Sequence, residues 1–600
     1  MYAQLTTRLL SVCLTAALLA NTCGTSQKQS QEKVFQATRT GDIDHLDPAV
    51  VSSAYACEEI FNVYEGLLQY HYLRQKPEII PCLAQELPVV SQDGRTYTFK
   101  IKRGVLFHDN PCFPEGKGRE LTAHDFVYSL MRVADPKVPS PWVDPLLDCV
   151  EGLKEWRVAA QTKSEATNYD LPIAGLRAID RYTFEIKLNK PCPHLLYYLA
   201  MPFSVAVPRE AVEHYNEAFG NHPVGTGPFV SEEYKSRMKK IVYHKNKKYR
   251  KELFPTDGDP VYQHMIDAYG GKPLPLIDKI VTTIITEEQP RWLSFQKGSL
   301  DTFDLRGSNN LPQLLHMGDG KGESDLTLQP EYVQKGMKLH LSPGISTSCY
   351  IFNNAHKLFK DNVRLRQAIS MAFDVQESVK RFSMPGVHVL AQSIIPPALA
   401  GYEKDFVNPY RTYNLEKAKR LLAEAGYPNG KGLPKITLDI PPGTSARQKA
   451  EFFKSCMAKV GIEIELVSSI FPEMCRRVRQ GMTMIHGMAW NADYPDAENF
   501  LVLFYRNKGD GLGTFFNNQA YNVLYEKAVR MTASPERTAC YRDMNRLIGV
   551  MTPVICTDHV RMVHMRHEWL KNYVLTDLTC STAKYLDIDL AQKSKRIASL

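Results

Sequence analysis

The sequence predicts a mixed α/β protein built from two or three domains. The chain is 600 residues long with 44% hydrophobic residues, more than a single hydrophobic core usually supports. Segments that alternate apolar and polar residues, the mark of half-buried strands, recur beside segments with helical start and stop chemistry. No solenoid period and no low-complexity stretch beyond a short polar tract competes with that class.

The chain opens with MYAQLTTRLLSVCLTAALLANTCGTSQKQSQ. Arg8 precedes an apolar run from Leu9 to Ala20, which is too short to span a bilayer and reads as a signal peptide over residues 1–22. The Ser/Gln tract that follows reads as a flexible tether over 23–35. No later stretch reaches ~18 uninterrupted apolar residues, so the mature chain is expected to be exported and soluble.

Two strands come next. GRTYTFKIKRG alternates Tyr97, Phe99 and Ile101 with Thr and Lys, and DRYTFEIKLNKP does the same with Tyr182, Phe184, Ile186 and Leu188. Between them LTAHDFVYSLMRVADP reads as a helix opened by Thr122 with Asp125 three positions on, and closed near Asp135-Pro136. Further along, YNLEKAKRLLAEAGYPNGKG is a helix from Asn414 that ends at Gly426. FHDNPCFPEGKGRELT and KELFPTDGDPVYQHMIDAYGGKPLPLIDK are rich in Gly, Pro and Asp and read as surface loops.

Charge excludes little and suggests no nucleic acid. Lys plus Arg total 73 against 65 Asp plus Glu, and +8 is dilute over this length. The densest basic run, YKSRMKKIVYHKNKKYRKE from Tyr234, carries nine Lys or Arg and reads as strand, turn and strand with solvated outer faces. There are 13 cysteines. With Cys13 removed and Cys23 modified eleven remain, an odd number that cannot all pair, although export permits disulfides. No CxxC or tight Cys/His cluster supports zinc or thioredoxin chemistry.

The usual catalytic frames are absent. PGISTSC at Pro343 lacks the second Gly of a nucleophile elbow, HEWLK at His567 has Lys571 where a zincin needs His, and GKGRELT is not a phosphate cradle. The acid-rich stretch WNADYPDAENFL at Trp490 raises a sharper question. It lacks the ligand alternation and Gly of a calcium loop. A glycosidase pair among these acids stays open. Asp496 and Glu498 sit where acids start a helix, whereas Asp493 lies between Trp490 and Tyr494 as if on the wall of an aromatic-lined cleft.

An ordered series resembles a known family: NVYEGLLQY at Asn62, GRTYTFKIKRGVLFHDN at Gly94, LTAHDFVYSLMRVADPK at Leu121, NHPVGTGPFV at Asn221, QPRWLSFQKGSLD at Gln289, DNVRLRQAISMAFD at Asp361 and WNADYPDAENFL. These resemble the bacterial extracellular solute-binding proteins of family 5, the peptide and oligopeptide receptors of ABC importers. The resemblance implies a periplasmic-binding-protein-like fold (type II, cluster C), two lobes closing over an interlobe ligand cleft. Lobe I would comprise 36–74, 205–340 and 560–600, with an extra domain at 75–204, and lobe II would comprise 341–559. It further implies that Asp493 pairs with the α-ammonium of a short peptide, with Trp490 and Tyr494 beside it. Gly225 and Thr226 are candidates to touch ligand or shape a turn, and Tyr64 and Glu65 candidates for the cleft mouth. Cys23 resembles the acylated cysteine of a bacterial lipoprotein, which would tether the protein to a membrane surface. The implied partner is an inner-membrane permease, with the binding protein a monomer that uses no cofactor or metal and catalyses nothing. The same fold also serves oligosaccharides, nickel chelates, haem and opines, and a secreted glycosidase or peptidase is the reading from another class.

Overall fold

The computed structural model describes residues 32–598 except 42, 44, 52, 162–166, 233, 235–238, 307, 309, 310, 318–325, 385, 507–510 and 579. The expected signal peptide and Cys23 lie outside the described residues. Among the described residues no helix is long and apolar enough to cross a membrane.

The two strands expected from alternation form and pair with each other. Thr96–Lys100 runs antiparallel to Thr183–Lys187, with Phe99 opposite Phe184 and Tyr97 opposite Ile186. Those four side chains face one core, as cross-strand apolar pairs on one face should. Val89–Val90 and Leu176–Asp180 complete this four-stranded sheet. The helix Ala123–Ala134 starts at Thr122, whose N–H donates to Asp125 at 2.8 Å. Leu415–Glu424 is capped by Asn414, and Gly426 beyond it adopts φ 95°.

A second four-stranded sheet is ordered Val34–Arg39, Lys279–Ile284, Lys240–Lys245, Phe229–Ser231. Here the basic run departs from expectation. It supplies one strand, Lys240–Lys245, and then a turn, with 235–238 outside the described residues. Arg250, read as solvated, is buried because Glu65 and Glu252 neutralise it at 2.6 and 3.1 Å. The loop 251–279 also contains a short helix, Gln263–Tyr269.

The third sheet has seven strands and joins the molecule's two halves. The long strands Met337–Phe352 and Val554–His567 run antiparallel through it. At one end Met337, Val563 and Met565 enter a core with Trp292, Phe295 and Phe303. At the other end Tyr350, Phe352 and Ile555 enter a core with Leu365, Phe373, Phe453 and Ile485. Two cores strung on two strands make a two-lobed α/β architecture. Between them the register breaks at Ser342/Ser346, where Pro343 has no N–H to donate. A Cβ on Gly344 would lie 1.8 Å from the Val560 carbonyl oxygen, so the strands can approach there only at glycine.

Candidate functional site

The strand Ile485–Asn491 lies beside Met337–Phe352 with Trp490 opposite Thr347, and the chain then turns through Asp493 into the short helix Glu498–Leu501. Asn499, on that helix, fixes the turn. Its Oδ1 accepts from Trp490 Nε1 at 2.9 Å and from the Asp493 N–H at 3.1 Å, and its Nδ2 donates to Asp493 Oδ2 at 3.2 Å. Trp490 is thus half-buried with its ring fixed beside Asp493.

Asp493 is exposed to solvent, although much of the surrounding volume is filled by protein. Enclosure governs its charge, since loss of hydration pushes its carboxyl up to about 6 against the opposing hydrogen bond from Asn499. No cation among the described residues contributes to that balance.

Near it lies the helix Ala54–Val63, opened by Ser53 accepting from the Ala56 N–H. The buried Cys57 thiol on this helix is pushed up to about 12 by burial, then by the charges of Asp493 and Glu58. Glu58 pairs with Arg39 at 3.0 Å, and Arg39 also meets buried Glu59 at 2.8 Å. Burial first, then the charges of Asp304 and Glu58, raise the Asp577 carboxyl. Asp577 accepts from the Ile345 N–H at 3.0 Å, beside the strand bulge, and lies 3.4 Å from Arg306. Arg306 also grips Asp304 at 2.9 Å. Glu58, Glu59, Asp304 and Asp577 are thus balanced in pairs by Arg39 and Arg306, with Glu59 fully buried.

The other expected site residues are placed differently. Tyr494 is buried rather than on the cleft wall. It stacks on Tyr197 at 5.8 Å, and its hydroxyl donates to Glu498. Asp496 and Glu498 do start the helix, with Asp496 Oδ1 accepting from the Glu498 N–H at 3.0 Å, but both are buried and serve tertiary contacts as well. Asp496 meets Arg537 at 3.0 Å, Tyr541 Oη at 2.8 Å and His194 at 3.7 Å. Burial opposes its charge, while His194 and Arg537 hold the carboxyl down at about 2. Glu498 accepts from the Tyr494 and Tyr525 hydroxyls.

Tyr64, Glu65, Gly225 and Thr226 come together, but inside the protein. Tyr64 is fully buried. Glu65 accepts from Thr226 Oγ1 at 3.0 Å and Tyr249 Oη at 2.8 Å besides its pair with Arg250. Gly225 lets two backbones touch, since its Cβ would lie 2.1 Å from the Val63 carbonyl oxygen. Glu65 and Tyr64 border a cavity of about 10 Å³, room for about one water. Sequence reasoning missed Asn499, Glu58, Arg306 and His194. Only Asn499 carried a local signal, lying six residues after Asp493 inside the acid-rich stretch.

The family model of bacterial extracellular solute-binding proteins, family 5, matches residues 78–511. The dipeptide-binding protein of Escherichia coli K12 is 26% identical over 513 residues, covering 84% of each chain. The heme-binding protein A of Haemophilus influenzae is 26% identical over 509 residues, 83% of this chain and 81% of that one. Among solved structures, the ABC transporter-associated periplasmic binding protein DppA of Helicobacter pylori, in complex with the peptide STSA, superposes with a TM-score of 0.71. It is 24% identical and covers 94% of this chain and 100% of that one. The fold is thus the two-lobed one of those binding proteins, and the chain belongs to the bacterial extracellular solute-binding proteins of family 5.

Proposed function

We propose that this protein is the extracytoplasmic substrate-binding component of an ABC importer, capturing short peptides between its lobes and presenting them to a permease. The observation that carries the reading is Asp493, a solvent-exposed carboxylate oriented by Asn499 and without a cationic partner among the described residues. A peptide α-ammonium would make a charge-assisted bond there in reduced dielectric. The peptide-binding relatives supply the ligand class. Extended peptides would be held through their backbones, with side chains in hydrated pockets. The division into lobe I (36–74, 205–340, 560–600) with its extra domain (75–204) and lobe II (341–559) is supported by the bulge at Ser342/Ser346, next to which both interlobe boundaries fall. Cleavage after residue 22, acylation of Cys23, a tethered monomeric state and the absence of catalysis complete the proposal.

The test is calorimetry with a dipeptide and its N-acetylated form, beside mass spectrometry of ligand that co-purifies. Asp493→Ala is expected to weaken dipeptide binding by about 2–5 kcal/mol, and N-acetylation to do the same to the wild type. An unchanged dissociation constant in the variant sinks the assignment of Asp493. Recovery of cleaved peptides would favour a peptidase, and recovery of haem or a sugar would replace the ligand class while keeping the fold.

A further inference from the structure

Cys349 and Cys556 are direct partners across the two long strands that join the lobes. Their Sγ atoms lie 3.7 Å apart, 207 residues from one another in sequence, and both are buried. Partners on antiparallel strands have Cα atoms about 4.5–5.5 Å apart, inside the range of about 4.4–6.8 Å that a disulfide spans. Rotation of the two thiols, without backbone movement, closes the remaining gap. A second pair arises elsewhere. Val150 bridges Leu188 and the Asn189 N–H donates to the Cys149 carbonyl at 2.8 Å, which lays two chain segments side by side. Cys149 and Cys192 are thereby brought to hydrogen-bond each other through their thiols, both buried.

We propose that both pairs are disulfide sites, closed when the chain meets a disulfide-bearing oxidant after export, and that the other cysteines stay thiols. In each pair one thiolate attacks a sulfur of the oxidant, forming a mixed disulfide and expelling one oxidant thiolate. The second cysteine then attacks the first Sγ and displaces the other oxidant thiolate. Two electrons and two protons pass from the pair to the oxidant, which leaves as a dithiol. Because all four sulfurs are buried in the finished fold, exchange belongs to the folding stage, when they are still reachable.

The two bridges have different consequences. Cys349–Cys556 would tie the long strands together on the Phe352 side of the bulge, so that bending between lobes is confined to the unbridged stretch around Ser342–Ser346. Cys149–Cys192 would brace the segment that carries His194 and Tyr197, the side chains that meet Asp496 and Tyr494.

The test maps the eleven thiols that remain after the signal peptide is removed and Cys23 is acylated, in mature protein refolded with an oxidised/reduced glutathione couple as the oxidant. The protein is denatured in N-ethylmaleimide without reductant, digested and examined by mass spectrometry. The expected result is a linked peptide joining Cys349 to Cys556 and another joining Cys149 to Cys192, with maleimide on Cys57, Cys82, Cys112, Cys456, Cys475, Cys540 and Cys580. Reduction should lower the melting temperature by a few degrees. Maleimide on Cys349 and Cys556, or a link from either to another cysteine, overturns the first bridge, and the same result at Cys149 and Cys192 overturns the second. Cys349→Ala should free Cys556 for maleimide while leaving the Cys149–Cys192 link in place. The wild-type map decides the matter even where that variant folds poorly.

Discussion

Loss of hydration around Asp493 raises its carboxyl, so the unliganded fold is expected to lose stability toward neutral pH. Its carboxyl titrates near 6 in the folded protein, against ~3.9 in an unfolded chain. Between those values the folded state binds the extra proton, so stability falls as pH rises from about 4 to about 6 and stays lower above. Asp493→Asn should therefore melt higher than wild type at pH 7 and together with it below pH 4, as thermal scans at the two pH values would read. Ligand binding has the opposite requirement, because an ammonium needs the carboxylate, and affinity should drop about tenfold per pH unit below 6. Asn499 adds a sharper test of positioning. Its amide donates to Asp493 Oδ2 and favours the charged form, so Asn499→Ala should move the acid limb of the binding curve to higher pH. Calorimetry from pH 5 to 8 measures that shift, which a purely structural defect would leave alone.

At the scale of elements, what was legible in the sequence is what depends on local pattern. Tyr97, Phe99, Phe184 and Ile186 announced their strands because one face is apolar, and Thr122 and Asp125 announced a helix start because capping is chemistry within four residues. Tyr494 and Glu65 were misplaced for the opposite reason. Their roles are fixed by Tyr197 and Arg250, far away in sequence, which no window contains. The same limit hid the long strands, since Pro343 and Gly344 interrupt the strand pattern locally, whereas the two strands meet there through a bulge. Gly344→Ala tests that element. With the new Cβ 1.8 Å from the Val560 carbonyl oxygen, the strands must separate, at a cost of about 1–3 kcal/mol typical of overpacking. Urea unfolding would measure it, and an unchanged midpoint would show that the crossing is looser than the structure has it.

For the whole molecule, the acid-rich stretch at Trp490 does two jobs that its sequence cannot separate. Asp493 is exposed, while Asp496 and Glu498 are buried and join remote parts of the chain. Around Asp496 gather His194, Arg537 and Tyr541, all buried, and next to them Tyr494 packs between Tyr197 and Tyr198. This contact holds the segment around His194 against the helices 519–528 and 535–551. Arg537→Met should cost about 3–5 kcal/mol in urea unfolding at pH 7, because Asp496 is left as a buried charge with less compensation. The pH dependence separates this from lost packing. A carboxyl held at about 2 in the fold contributes stability that is complete above pH ~4 and is lost as pH falls toward 2. Without Arg537 the folded carboxyl rises toward its unfolded value, so that acid-dependent loss should shrink in the variant. Wild type and variant curves would then converge as the pH is lowered from 5 to 2, whereas a gap constant with pH would assign Arg537 to packing alone.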